Sequence, residues 1–427
     1  MLYKKIKSNF LRKVLLLSSS TIMAQLIMLI ISPILTRVYS PESFGELAIF
    51  LSFILILSEV SSLKYDMAIL IPSEKEDNKT DSLIFLSILV VIIVSVCSIP
   101  LLSILNQFGF FILSYKGLLW FLPLTVFISG IYQIFTFYSI KKGDYKFISG
   151  TKINLVASQG LSQLGLGYIY PSSVSLILGD FLGRIVVCIS IFNKYKSKIL
   201  SVFIKKDFMN ILAVAKEYRK YPLVNAPSSL INSVGTNIIP ILLTIVYDPI
   251  IAGLYALSYR MIRSPIQIIG KSISSVYIGD IVNQINNKSE IISIKDKTFK
   301  IIKIQIILGV IPFSILAIFS PSLFSILFGE EWIKSGYVVR YLSPMLLMML
   351  IVSPISEILN IIQKHEFRFY WDIIRLVVIM VIFFVSNVYE LPNEIFFMVY
   401  SLSMTIMYII LLFIIYIQLD KYVIKKN

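Results

Sequence analysis

Cysteine and histidine are nearly missing from this sequence, and charge is thin. Two cysteines and one histidine occur in 427 residues. Cys97 and Cys188 both fall inside apolar stretches, where they read as small buried hydrophobes without the spaced polar partners of a disulfide framework or metal site. His365 lies in the polar stretch QKHEFR, the setting of a solvated loop residue. The patterns CxxC, HExxH, GxSxG and the phosphate-binding P-loop are absent, which removes the usual signatures of metal, acyl-transfer and ATP-driven chemistry. No catalytic residue, metal ligand or cofactor is therefore expected. Only 15% of the residues are charged, a smaller share than a soluble domain carries.

Apolar sequence takes that place. Hydrophobic residues make up 57% of the chain, with a mean hydropathy of +0.85. Segments of about 20 largely apolar residues recur from end to end, the length that crosses roughly 30 Å of hydrocarbon. The spans fall near 14–34, 44–63, 82–103, 117–138, 150–169, 173–192, 223–246, 251–272, 301–320, 337–361, 370–388 and 395–418. The first is too long and too weakly punctuated for a cleaved signal peptide and is expected as a retained helix. The expected fold class is an all-α polytopic membrane protein of about twelve transmembrane helices.

The distribution of cations checks this count. Lys and Arg concentrate in alternate connecting segments, whereas the opposite set holds only Arg37, Lys116 and Lys334. A missed or invented span would scramble that alternation downstream of the error, so the positive-inside rule supports an even number of crossings with both termini cytoplasmic. The net charge of +15 then reads as a topology signal facing an anionic inner leaflet. The charges are scattered over many segments, so no nucleic-acid partner is expected; the membrane lipid is the partner they imply.

One phrase occurs twice. LTRVYSPESFGELA at 35–48 and LTIVYDPIIAGLYA at 243–256 share Leu35/Leu243, Thr36/Thr244, Val38/Val246, Tyr39/Tyr247, Pro41/Pro249, Gly45/Gly253 and Ala48/Ala256. An even number of crossings separates the copies, so they share one orientation, which predicts two parallel six-helix halves related by an axis along the membrane normal. The expected domains are an N-terminal half at 1–193, a cytoplasmic amphipathic linker at 194–222 and a C-terminal half at 223–427. The linker stretch KKDFMNILAVAKEYRK sets apolar residues at helical spacing beside lysines, the pattern of a helix along a membrane surface.

Several stretches carry a family resemblance in order along nearly the whole chain. LTRVYSPESFGELAIF looks like the first outer turn of polysaccharide exporters, and SLKYDMAILIPSEKED and YSIKKGDYKFISGTKI look like the cytoplasmic loops that follow. GLYALSYRMIRSPIQIIGKSISSVY and LFGEEWIKSG resemble further signatures of the same group. The sequence resembles the Wzx-type flippases, within the superfamily of multidrug, oligosaccharidyl-lipid and polysaccharide exporters. That resemblance implies a MATE-like exporter fold in a bacterial inner membrane. It implies movement of undecaprenyl-diphosphate-linked oligosaccharide repeat units to the outer leaflet for O-antigen or capsule, with a polysaccharide polymerase as a further partner.

Ionisable residues at membrane depth are costly and mark function by default. Arg260 and Arg263 fall near the middle of the eighth span, and Lys271 returns to the same face. Together with Arg184 they form a candidate cationic cavity for a diphosphate or acidic sugars. The bland reading is internal pairing for the arginines and snorkelling for Lys271. Asp180 and Arg184 stand four apart and can simply pair with each other. Arg37, Glu59, Asp180, Arg340, Glu357 and Arg375 are candidate gate or ion-coupling residues. Gln25, Asn154, Ser158, Asn225, Asn232 and Thr236 follow helical polar stripes that line a cavity or bind helices together.

Two rival functions remain. A multidrug or cation antiporter of the same fold wants an unpaired acid deep in the first helices; spans one and three hold none, and Glu59 is off-centre. A membrane polysaccharide polymerase wants a large outer loop, and the longest outer segments, near 104–116 and 321–336, are too short for a folded site. A transporter rather than an enzyme is expected.

Overall fold

The computed structural model describes residues 2–73, 76–107, 116–204, 208–287 and 293–426. The expected Lys75, Lys205, Lys206 and Lys288 of the cytoplasmic segments, and most of the outer segment near 104–116, lie outside the described residues. Among the described residues the regular structure is helical throughout. Nine helices are long and apolar enough to cross a membrane, or ten if the bent pair Tyr221–Asn237 and Ile239–Val246 is one span. The protein is a multi-pass, all-α membrane protein.

Contacts divide the chain into two compact units, Met1–Ile245 and Val246–Asn427. The first unit begins with α1 (Leu2–Val38), α2 (Pro41–Glu59) and the short α3 (Tyr65–Ala68). It continues through α4 (Asp77–Gln107), α5 (Phe121–Lys141), α6 (Tyr145–Ile169) and α7 (Ser173–Ile204). The amphipathic α8 (Phe208–Glu217), then α9 (Ala226–Asn237) and α10 (Ile239–Val246), complete it. The seventh span therefore clusters with the first unit, where α9 packs on α2.

The second unit holds α11 (Pro249–Asn287), α12 (Ser293–Phe328), α13 (Ile333–Ser356), the short α14 (Ile358–Ile361), α15 (His365–Val388) and α16 (Asn393–Lys426). Its centre is α13, which packs against α11, α12 and α16 and buries Val339, Leu342, Leu346 and Val352 completely.

All twelve expected spans are helices, but two do not pass as apolar crossings. These are α6, with Lys152, Asn154, Ser158, Gln159, Ser162 and Gln163, and α11, with Arg260, Arg263, Lys271 and Asp280. A helix that turns a polar face inward lowers its own mean hydropathy, so a hydropathy threshold misses the helices that carry polar groups across the membrane.

The repeated phrase builds the same device twice. Ser40 is the N-cap of α2, its hydroxyl accepting from the Ser43 amide at 3.3 Å, and Pro41 opens the helix. At the second copy Asp248 Oδ1 accepts from the Ile251 amide at 2.8 Å, and Pro249 opens α11. A polar cap followed by proline at the first helical position satisfies orphan amides and presets the backbone, which is why both copies keep this order. The tyrosine before each cap donates its hydroxyl to a backbone carbonyl. Tyr39 reaches Gln163 O at 2.5 Å near the end of α6, and Tyr247 reaches Leu391 O at 2.9 Å just before α16.

The linker helix is amphipathic, as its spacing predicts, and its apolar side is turned into the protein. Ile211, Val214 and Tyr218 are buried in a core shared with Tyr65, Leu83 and Ile134. A Lys79–Glu217 pair at 3.1 Å ties its end to α4.

Candidate functional site

In the second unit, α11, α15 and α16 gather arginines among aromatic rings. On α11, Arg260 and Arg263 are one turn apart and half-buried. The Arg263 guanidinium lies 5.2 Å over the Tyr259 ring, and its buried Nε makes no hydrogen bond among the described residues. Tyr259 stacks on Tyr255 at 5.4 Å, and Tyr255 stacks on Phe397 of α16. Tyr400, one turn further along α16, is buried and stacks on Phe396. On α15, Arg375 lies 4.9 Å over Trp371 and pairs with Asp372 at 3.0 Å. Trp371 donates its indole N–H to Met407 O and packs against Tyr408. Ring contacts lead from Arg263 through Tyr259 and Tyr255 to Phe397, and from Arg375 through Trp371 to Tyr408, so both arginines are tied to α16.

Local sequence explains this assembly. Tyr255 and Tyr259 are four apart, as are Trp371 and Arg375, and Tyr400 and Tyr408 are eight apart, so each set lies on one helix face. Rings under the guanidinium groups compensate part of their desolvation. A planar guanidinium is also the group that can grip phosphate or carboxylate oxygens in bidentate fashion. Arg263 and Arg375 against Asp372 leave the cluster cationic.

The first unit treats its charges differently. Arg184 Nε donates to Asp180 Oδ2 at 2.7 Å and its Nη1 to Ser129 Oγ at 2.9 Å. Gln159 Nε2 of α6 donates to Asp180 Oδ1 at 2.6 Å. The pair, on α7, is closed by neighbours on two further helices, α5 and α6. Such close approach of α6 and α7 requires glycine. A Cβ on Gly179 would stand 2.7 Å from the Gln163 backbone nitrogen, and one on Gly183 would stand 2.7 Å from that of Gln159. Small residues four apart let helix backbones meet in this way.

The remaining candidates take separate places. Arg340, expected as a gate residue, donates to Ala317 O at 2.8 Å and Ile318 O at 2.7 Å while lying over Tyr337. Pro321 of α12 has no N–H to offer the Ala317 carbonyl four residues back, so Arg340 satisfies a carbonyl that the proline leaves open. Glu357 accepts from Arg368 at 2.7 Å and Asn360 at 2.8 Å. Glu59 pairs with Lys64 at 2.5 Å. Arg37 is exposed in the last turn of α1, where a cation complements the helix dipole. Lys271 is exposed, with no ion pair found among the described residues. The structure thus ties Arg263 and Arg375 to the same aromatic cluster, with Arg260 one turn from Arg263 on α11; Arg184, Asp180 and Glu59 belong to the first unit.

Of the polar stripe, Gln25, Ser158, Asn232 and Thr236 are half-buried, while Asn154 and Asn225 are exposed. The Thr236 hydroxyl donates to Asn232 O, and Ser233 of the same helix reaches Leu55 O of α2 at 3.2 Å. This seventh span is irregular: a π-helical turn at Tyr221–Asn225 precedes it, and α9 and α10 meet at a 48° bend. Pro240 lies just beyond that bend. Broken helices of this kind carry the polar backbone of transporter sites.

Three buried acids escaped sequence reasoning: Glu46, Asp66 and Asp372. Asp372 had a readable signal, because it precedes Arg375 by one turn. Asp66 lies on α3, outside the spans, after Leu63 and Lys64 in left-handed backbone. Burial raises its carboxyl pKa above 3.8, opposed by the Ser62 hydroxyl and the Lys64 ammonium.

Comparison with solved structures finds the same fold over nearly the whole chain. An inward-facing multidrug resistance MATE family transporter of the MOP superfamily superposes with a TM-score of 0.67 at 13% identity, covering 96% of this chain and 94% of that one. A MOP superfamily transporter from Pyrococcus furiosus, described as having a binding pocket of reverse polarity that suggests a different function, gives 0.59 at 14% identity over 97% and 96%. The outward-facing multidrug resistance MATE family transporter gives 0.56 at 12% identity over 97% and 96%. No curated protein matches the sequence. These likenesses establish the MATE-like exporter fold. Residues 34–336 match the family described as polysaccharide biosynthesis protein, and the chain belongs to that family.

Proposed function

We propose that the protein is a flippase for undecaprenyl-diphosphate-linked oligosaccharide repeat units, working by alternating access in a bacterial cell membrane with both termini cytoplasmic. The observation that carries this reading is the ring-stacked cationic cluster of the second unit. The Arg263 guanidinium, supported on the Tyr259 ring, has the chemistry that suits diphosphate oxygens. The polyprenyl tail stays in lipid, so only the polar head needs a path across. O-antigen or capsule is the product class, with a polysaccharide polymerase acting on the delivered unit.

The direct test removes charge at Arg260 and Arg263 together. Surface polysaccharide should be lost while the protein stays in the membrane, and lipid-linked oligosaccharide should accumulate on the cytoplasmic leaflet. Normal polymer in that double variant overturns the assignment. The topology has its own test: a reporter active only in the cytoplasm, fused after Asp248, should stay silent.

A second reading, a multidrug or cation antiporter, is favoured by the fold shared with the multidrug resistance transporter over 96% of the chain. It sits poorly with a cluster whose net sign repels organic cations. Cation-driven drug efflux by the purified protein would favour it over the flippase.

A further inference from the structure

A cavity lies away from the arginine cluster, in the second unit, between the first turns of α12 and the last turns of α16. It has a volume of about 270 Å³, slightly below the roughly 300–1,000 Å³ of a small-molecule site. Its aliphatic walls are Ile302, Leu412, Ile415 and Leu419. Phe299 and Tyr416 close one side, edge to face at 5.8 Å. The one hydroxyl in the wall besides Tyr416, that of Thr298, is already engaged with Ile294 O and the Tyr277 hydroxyl. Water finds too few partners in such a space. On either side of it α12 and α16 expose Ile304, Ile307, Phe413 and Ile417, as helices facing hydrocarbon do.

The only charge in the lining is Lys295, at the end where α12 begins. Its ammonium donates to Asp420 at 2.5 Å and lies 4.7 Å over the Tyr416 ring. An ammonium has three protons to donate, so it can still donate to another acceptor at the mouth. Lys297, further along the helix, is paired with Asp280 of α11 at 3.8 Å and lies outside the lining. The cavity thus has a dry hydrocarbon slot with one lysine at its end.

We infer that this cavity binds one acyl chain of an anionic phospholipid from the cytoplasmic leaflet, with the lipid phosphate on Lys295. The volume admits part of one chain. A single lysine already shared with Asp420 suits the one charge of a phosphodiester; a diphosphate would bring a second negative charge beside the Asp420 carboxylate. The cavity shares no lining residue with the arginine cluster, and the inference does not depend on what the protein transports.

The full-length protein in mixed phosphatidylglycerol and phosphatidylcholine nanodiscs, followed by native mass spectrometry, tests it. One retained phosphatidylglycerol is expected, preferred about fivefold over phosphatidylcholine, the discrimination of one interfacial lysine. Lys295→Gln should abolish the preference and leave a chain bound, whereas Ile302→Trp should fill the slot and remove the lipid. Thermal unfolding of both variants in detergent checks that they are folded. Equal retention of the two lipids by the wild type, or unchanged retention in a folded Ile302→Trp variant, overturns the proposal. Displacement of phosphatidylglycerol by an equimolar polyprenyl phosphate also overturns it, since the slot would then belong to the carrier tail.

Discussion

Arg184 and Arg263 are both arginines inside membrane helices, and their surroundings make them different instruments. Arg184 is held by Asp180 on its own helix, by Ser129 on α5 and, through Asp180, by Gln159 on α6. Arg263 rests on the Tyr259 ring with its buried Nε unbonded. A guanidinium whose donors end on fixed protein acceptors strengthens the fold, and one supported on a ring keeps donors for a ligand. The first unit neutralises its membrane charge internally, whereas the second keeps an excess of cation among aromatic faces. Residue type alone does not separate these roles; the partners do.

The largest expected effect falls on the ring-stacked side of this contrast. Arg260→Gln with Arg263→Gln should lower transport about a hundredfold or more, from roughly 1.5–3 kcal/mol for each charged hydrogen bond lost. Membrane levels should stay near wild type. Arg263→Lys keeps the charge without the planar fork and should fall between, at about tenfold. If the lysine variant transports normally, a point charge suffices and the bidentate grip is wrong.

On the paired side the loss should be of fold rather than of transport alone. Asp180→Asn or Arg184→Gln leaves one buried partner uncompensated, a cost of about 3–5 kcal/mol. The side chains are only 6% and 16% exposed. Melting temperature in detergent and membrane abundance should both drop, and the double variant should recover part of the loss. A stable, abundant Arg184→Gln protein that fails to transport would move Arg184 to the substrate site.

Gly183→Ala probes the packing that brings the pair together. Its new Cβ would meet the Gln159 backbone nitrogen at 2.7 Å, and overpacking of this kind costs about 1–3 kcal/mol. The drop in melting temperature should be smaller than for Asp180→Asn. Unchanged stability would mean that α6 and α7 can separate without loss.

The smallest effect concerns Asp66. Its folded-state pKa lies above 3.8 because the carboxyl is buried, so the native protein binds this proton more readily than the unfolded chain does. The resulting stability is fully present below 3.8 and lost as pH rises through the raised folded value. Relative to Asp66→Asn, the wild type should therefore gain melting temperature on acidification across that window. A constant difference between the two proteins would remove the link to burial.

Much of the fold was legible because two independent signals overlapped. Apolar runs located the spans, α6 and α11 included, and the alternation of Lys and Arg checked their number, although the polar residues of α6 and α11 lower their hydropathy. The duplicated phrase was readable as turn chemistry, and each copy folds as a polar cap, a proline and a tyrosine anchored to a carbonyl. Roles at the site were less legible, because they depend on residues distant in sequence. Arg340 reads as a charge near an outer end until Pro321 and the open Ala317 carbonyl stand beside it. Tyr400 and Tyr408 read as residues of an interfacial belt until α11 brings Tyr255 and Tyr259 against them. Arg375 was visible alone, and its tie to the same aromatic cluster as Arg263 runs through residues of a third helix, α16.

The central claim, that the ring-stacked arginines carry an anionic lipid-linked glycan head, is met most directly in proteoliposomes. Purified protein should move undecaprenyl-diphosphate-linked oligosaccharide between leaflets, and the Arg260→Gln, Arg263→Gln protein, reconstituted to the same level, should not. Equal movement by both proteins, or efflux of organic cations with no movement of the lipid-linked glycan, would contradict it.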